Sequence, residues 1–273
     1  MSLLLAADIG GTKSALAVFD LRDYLRAAPL VQGVYANRDF SGILELVSAF
    51  LGGTGCAPEY ACLAVAGVVG NSQAEMTNLP WAISESLLAA HLGFAGVWLI
   101  NDLTAVCSSL PILQTNDWIE LQSGQEIPDG VRAVIAPGTG LGEGFLAQRG
   151  GVVWAQGTEG GHCDFAPTDV IQADLLDWMR RQQPWPVPVS YERLCSGLAI
   201  PTLYAFFKAS GVAETKAVRA ALAKAEDQTP VIVSGALDVK NPCFLCRKAV
   251  DLFLAILGAE AGNLALKLYS TGG

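Results

Sequence analysis

The chain has 273 residues, enough for one large or two ordinary domains. Hydrophobic residues make up 52% and mean hydropathy is +0.39, yet no uninterrupted apolar run reaches the ~18 residues of a membrane span. The apolar excess therefore belongs to a large core, and a net charge of −9 with a pI of about 4.7 speaks against nucleic acid or an anionic membrane as partner.

Met1 to Ala7 is apolar with no basic stretch before it, and Asp8 interrupts it, so it reads as a first strand and not a signal peptide. Leu3 to Ile9 runs into Gly10-Gly11 and then Ser14 to Asp20, which predicts strand, tight turn, strand, with glycines free to adopt positive φ. Phe40 to Leu51 has the spacing of an amphipathic helix. Tyr60 to Val69 is an apolar strand, Ile83 to Leu92 a helix, and Gly96 to Asn101 another strand. Strands alternating with helices imply an α/β domain with a largely parallel sheet.

A second unit begins near Ser108, giving expected domains of 1–107 and 108–273. Val131 to Ala136 is a strand that enters a glycine turn. Gly144 to Gln148 and Val152 to Gln156 form a hairpin around Arg149-Gly150-Gly151. Val170 to Gln183 is a helix, Pro184 to Pro188 an irregular link, and the chain from Tyr191 onward is mainly helical, closing with a helix from about Pro242 to Leu268. The seven scattered cysteines suit free thiols in a reducing cytosol, so a cytoplasmic protein is expected. Cys243 and Cys246, a C-x-x-C on that last helix, read as core packing.

Four segments carry chemistry. In Asp8-Ile-Gly-Gly-Thr-Lys13 a carboxylate at a strand end meets a turn of bare N–H groups and a hydroxyl, which suits phosphate and Mg²⁺; a plain hairpin turn is the alternative. It is neither a Walker A loop nor a dinucleotide fingerprint. Asn101-Asp102 ends an apolar strand, where Asp102 can accept a proton from an attacking hydroxyl; it can equally cap the following helix. Pro137-Gly-Thr-Gly-Leu-Gly142 allows close approach to a phosphate, or is a tight structural turn. Glu159-Gly-Gly-His162 can offer two side chains to one sugar, with Glu192 as a third. His91 and His162 are the only histidines, which excludes a His-cluster metal site, and His91 reads as a surface or boundary residue.

In this order, with Thr77-Asn-Leu-Pro-Trp81, Ser190-Tyr-Glu-Arg and a closing Gly262-Asn-Leu-Ala-Leu266, these segments resemble bacterial glucokinases of the hexokinase-like type, over the whole chain. Glu159-Gly-Gly-His-Cys-Asp-Phe-Ala-Pro167 is the most specific stretch. The resemblance implies two ribonuclease-H-like α/β domains flanking a cleft whose closure excludes water. It implies ATP with Mg²⁺, the metal held by Asp8 through water, and glucose as acceptor. It assigns glucose to Asn78, Asn101, Asp102, Glu159, His162 and Glu192, with Asp102 as general base. The phosphates fall to Asp8, Gly10, Gly11, Thr12 and Lys13 in the first turn and to Gly138, Thr139 and Gly140 in the second. Replacing Gly140 by Val is expected to harm phosphate binding more than sugar binding. Family members continue past the last helix into a segment that helps hold adenosine, so this chain reads as lacking a C-terminal tail. Other readings are a kinase for another hexose or an acylated aminosugar, a sugar-responsive regulator, and an impaired sugar-binding remnant. No cysteine-rich zinc segment follows His162, and only seven residues precede Asp8, which weighs against the aminosugar kinase and the DNA-binding regulator. No nucleic acid or membrane partner is expected, and a homodimer is left open.

Overall fold

A computed structural model describes residues 2–23, 28–76, 79–182 and 188–273. They divide into one unit of Met1–Ser123 with Trp154–Gly157 and a second of Gly124–Val153 with Thr158–Gly273.

The first unit holds β1 (Leu3–Ile9), β2 (Lys13–Asp20), β3 (Val31–Ala36), α1 (Ile43–Gly52), β4 (Tyr60–Val65), β5 (Gly67–Gly70), β6 (Gln73–Met76), β7 (Ala82–Ser84), α2 (Glu85–Leu92), β8 (Gly96–Asn101) and α3 (Asp102–Ser109). Its main sheet has the order β3-β2-β1-β4-β8. β2 pairs antiparallel with β1 and β3, while β4 pairs parallel with β1 and β8. This is the ribonuclease-H-like arrangement expected. The period of two in β1 divides its residues between the faces. Leu3, Leu5, Ala7 and Ile9 join the core with Leu46, Val47 and Phe50 of α1. Leu4, Ala6 and Asp8 fall on the other face, where they line a cavity of about 890 Å³ together with Ala15, Ile100 and Ala105.

Several sequence readings change here. β3 was not foreseen. The run Tyr60 to Val69 is two strands, because the chain leaves the main sheet after Val65 and β5 enters a separate sheet of order β5-β6-β7. Gly67 is needed at that exit, since a Cβ there would lie 2.2 Å from the Glu75 carbonyl oxygen. Ile83 belongs to β7 and is buried; α2 opens two residues later at Glu85. The helix expected from Phe40 begins at Ile43, and the Glu45 carboxylate accepts from both the N–H and hydroxyl of Ser41, at 2.8 and 2.7 Å, which fixes its entry.

The second unit holds β9 (Arg132–Pro137), β10 (Leu141–Arg149), β11 (Val152–Thr158), α4 (Val170–Gln182), α5 (Ala199–Ala209), α6 (Lys216–Leu222), α7 (Thr229–Leu237) and α8 (Phe244–Leu268). The sheet order β11-β10-β9 repeats the β3-β2-β1 start of the first sheet. Positive φ at Gly150 (59°) and Gly151 (80°) turns β10 into β11. β10 starts at Leu141, three residues before the strand read from sequence. The proline-rich link lies, at 184–187, outside the described residues.

α8 is the one described helix long and apolar enough to cross a membrane. Its Leu245, Ala249, Leu252 and Ile256 recur at helical spacing and join a core with Leu203 of α5 and Ile232 of α7. All seven cysteines are free. Cys243 and Cys246 are buried, and the Cys243 sulfur caps α8 by accepting from the Cys246 N–H at 3.5 Å, so the C-x-x-C is core packing as read. After α8, Gly272 N–H donates to Val131 and Ala133 N–H to Gly273, laying Thr271–Gly273 along β9.

Candidate active site

The first glycine turn is held by a residue the sequence did not single out. Asn37, 1% exposed, donates through Nδ2 to the Gly10 carbonyl at 2.8 Å and through its backbone N–H to the Thr12 carbonyl at 2.9 Å. Its Oδ1 accepts from the Ser14 hydroxyl at 2.7 Å. Neither Gly10 nor Gly11 has positive φ, contrary to the reason first given for them. Gly10 is required by space: a Cβ would sit 2.9 Å from the Lys13 carbonyl oxygen, to which its own N–H donates. Asp8 lies near the C-terminal end of β1, Thr12 is exposed in the turn, and exposed Lys13 opens β2.

At the end of β8, Asn101 is the cap of α3. Its Oδ1 accepts from Leu103 N–H at 2.9 Å and Thr104 N–H at 3.3 Å, and its Nδ2 donates to the Gly67 carbonyl at 3.2 Å. The capping role considered for Asp102 thus belongs to its neighbour. With Oδ1 saturated, one Nδ2 hydrogen of Asn101 is left without a partner among the described residues. Asp102 is the first residue of α3; its Oδ1 shares the Leu103 N–H at 2.9 Å, and among the described residues Oδ2 accepts nothing. Partial desolvation, and after it the Asp102 carboxylate, hold Asp8 above the ordinary carboxylate range. Those two acids are therefore electrostatic neighbours. No group of three potential metal-ligating acids, histidines or cysteines occurs among the described residues. Thr104 is a further contributor missed from sequence: its hydroxyl accepts from Gly157 N–H at 2.9 Å.

In the second unit the turn between β9 and β10 meets Glu192. The Leu141 N–H donates to Glu192 Oε2 at 3.1 Å, and a Cβ on Gly140 would lie 2.4 Å from the same oxygen. Glycine at 140 thus makes room for a carboxylate of the protein itself. Gly138 N–H donates to the Gly140 carbonyl, and its own carbonyl accepts from Gly197 N–H, each at 2.8 Å, which ties the turn to the start of α5. Thr139 and Glu192 line a cavity of about 540 Å³ with Trp178, Gln182, Ser196 and Thr202.

Glu159, His162 and Glu192 come together. His162 Nε2 lies 3.7 Å from Glu159 and its Nδ1 3.7 Å from Glu192, while Glu192 N–H donates to the Gly161 carbonyl at 2.8 Å. The two glycines between Glu159 and His162 have a packing cause. A Cβ on Gly161 would lie 2.1 Å from the Leu141 carbonyl oxygen and one on Gly160 2.0 Å from Glu143 Oε2, so only glycine lets this one-turn helix, Gly160–His162, rest on β10. The side chains of Glu159 and His162 remain largely exposed, free to serve a ligand. Asn78 lies outside the described residues. His91 is exposed on α2, with Nδ1 2.9 Å from the Leu87 carbonyl oxygen.

The glucokinase family model matches residues 5–273. A glucokinase of Nostoc sp. (strain PCC 7120) is 35% identical over 284 residues, covering 100% of this chain and 83% of its own length. That of Colwellia psychrerythraea is 32% identical, covering 98% and 78%. Among solved structures, a glucokinase from an Antarctic psychrotroph superposes with a TM-score of 0.81 at 29% identity, over 100% of this chain and 81% of that one. The Balamuthia mandrillaris glucokinase crystallised with glucose shares the fold, with a TM-score of 0.73 at 21% identity over 98% and 77%. Joined to a carboxylate at a strand end, two glycine turns and a Glu–His–Glu cluster, these matches settle the assignment: the chain belongs to the glucokinase family, enzymes that phosphorylate glucose.

Proposed function

We propose that the enzyme transfers the γ-phosphoryl group of ATP to the 6-hydroxyl of glucose, with Asp102 taking the proton as that oxygen attacks phosphorus. The grouping of Glu159, His162 and Glu192 within 3.7 Å contacts carries this reading, because two polar side chains on a glycine bend and a third beside them suit a polyhydroxy ligand. Asn101, with one free amide hydrogen, and Asn78 are further candidates for the glucose hydroxyls. The first unit supplies the base and the first phosphate turn, Asp8 and Gly10 to Lys13. The second supplies the sugar carboxylates and the second turn, Gly138 to Gly140.

Mg²⁺ is the expected companion of the phosphates. Asp8 beside Asp102 forms an acidic pair that a hard cation would favour, and Asp8 would hold it through water, the nucleotide phosphates completing the oxygen shell. The ion would neutralise charge on the transferred phosphoryl group.

A coupled assay with ATP, ADP and polyphosphate as donors, and glucose, mannose and N-acetylmannosamine as acceptors, tests the reading. ATP with glucose should give the highest kcat/KM. Higher kcat/KM with N-acetylmannosamine would transfer the assignment to an aminosugar kinase.

A further inference from the structure

Glu143, on β10, is a buried carboxyl that the reaction scheme leaves unused. It is 1% exposed, and among the described residues its Oε1 has no hydrogen-bond partner. Its Oε2 lies where a Cβ on Gly160 would be, 2.0 Å away, directly under the turn that carries Glu159 and His162. Its backbone is tied to the same turn: the Thr158 hydroxyl donates to the Glu143 carbonyl and accepts from Gly160 N–H, each at 3.2 Å.

The groups that could answer its charge are already engaged. From α8, fully buried Glu260 accepts from Lys267 Nζ at 3.0 Å and from Asn263 Nδ2 at 2.9 Å, and that amide also donates to the Tyr191 hydroxyl at 3.2 Å. Tyr191 and Cys195, from the segment that follows Ser190, are buried and also feel the Glu260 charge. Lys267 is thus committed to Glu260, and Glu143 has no ion pair among the described residues.

We propose that Glu143 is a positioning residue for the sugar site: enclosed between Gly160 and the Glu260 end of α8, and uncharged, it sets the seat of the Glu159–His162 turn and of Glu192 on β10. An uncharged carboxyl tolerates an oxygen without a donor far better than a carboxylate does. Burial first, and the Glu260 charge second, favour that form, while Lys267 acts in the opposite sense. Ionisation would set two like charges side by side. The new carboxylate would also compete with Thr158 for the Gly160 N–H, twisting the turn that presents Glu159 and His162. The proposal rests on the sugar-site reading above.

Calorimetric titration with glucose, from about pH 5.5 to about 8.5, tests it on the parent, Glu143→Gln, Glu143→Leu and Glu159→Gln. The parent should lose glucose affinity as pH rises. Glu143→Gln, neutral and isosteric, should bind within about threefold of the parent at low pH and lose less affinity than the parent as pH rises. Glu143→Leu should bind roughly tenfold or more weakly throughout while still melting cooperatively. Superimposable pH profiles for parent and Glu143→Gln overturn the proposal, whether or not the Leu variant folds; so does parent-like binding by Glu143→Leu. Parent-like binding by Glu159→Gln overturns the sugar-site reading and the proposal with it. Loss in Glu159→Gln beside identical parent and Glu143→Gln profiles overturns the proposal alone.

Discussion

The backbone N–H of Leu141 donates to Glu192 Oε2 at 3.1 Å, so a carboxylate assigned to the sugar is held by the turn assigned to phosphate. One step back, Gly140 leaves no room for a side chain, as its Cβ would stand 2.4 Å from that oxygen.

Gly140→Val should therefore weaken glucose and nucleotide together, each by roughly tenfold or more, because displaced Glu192 leaves His162 with one carboxylate neighbour fewer. This departs from the separation of phosphate and sugar effects expected from sequence. Calorimetry with each ligand decides it: intact glucose binding beside lost nucleotide binding would restore the simpler expectation.

Asp102→Asn should lower kcat by roughly 10²–10⁴ with glucose affinity largely kept, since the amide preserves size and the Leu103 N–H contact but cannot take a proton. Steady-state kinetics beside glucose titration is the measurement. Turnover equal to the parent would remove Asp102 as base.

Asn37→Leu should cost about 1–3 kcal/mol of stability, because it strands the buried Ser14 hydroxyl and the Gly10 carbonyl. The first phosphate turn should loosen as well, raising the KM for ATP more than that for glucose. Urea unfolding and paired KM values report the two effects; a variant as stable as the parent would show that Asn37 does not hold the turn.

Glu214 links α5 to α6. Its carboxylate, 4% exposed, accepts from Lys208 Nζ at 2.8 Å, from the Tyr204 hydroxyl at 2.9 Å and from Arg219 Nε. Hydrogen bonds from Lys208 first, then Arg219, lower its pKa from 4.5 to about 2. A depressed carboxylate contributes stability above its unfolded pKa and loses it as pH falls through the folded value. Glu214→Gln should thus melt lower than the parent at neutral pH, and the deficit should shrink on acidification from about pH 4.5 towards 2. A deficit independent of pH would point to packing instead of charge.

What the sequence disclosed and what it hid divide along physical lines. β1 and β8 were legible to the residue, because an apolar run ended by Gly10 or by Asn101-Asp102 leaves few other conformations. β3 was not, since Val31–Ala36 pairs with β2 at the sheet edge and shows only a weak apolar rhythm. The glycine turns announced themselves, but their reasons did not. Gly140, Gly160 and Gly161 answer to Glu192, Glu143 and the Leu141 carbonyl, partners set by tertiary contact. Asn37 sits in a polar stretch, Asn37-Arg-Asp39, that reads as solvated loop, and its burial arises from a turn more than twenty residues away.

Residues 154–157 are grouped with Met1–Ser123, and Gly157 supplies the N–H that the Thr104 hydroxyl receives. The first unit is therefore not a single stretch of gene. A fragment coding for 1–123 would leave Thr104 without that donor and Asn101 Oδ1 exposed where Gly157 covers it. For recombination this makes the two units one inheritance: shuffling them between homologues at a single crossover would part Gly157 from Thr104, and only exchanges that carry both preserve the start of α3.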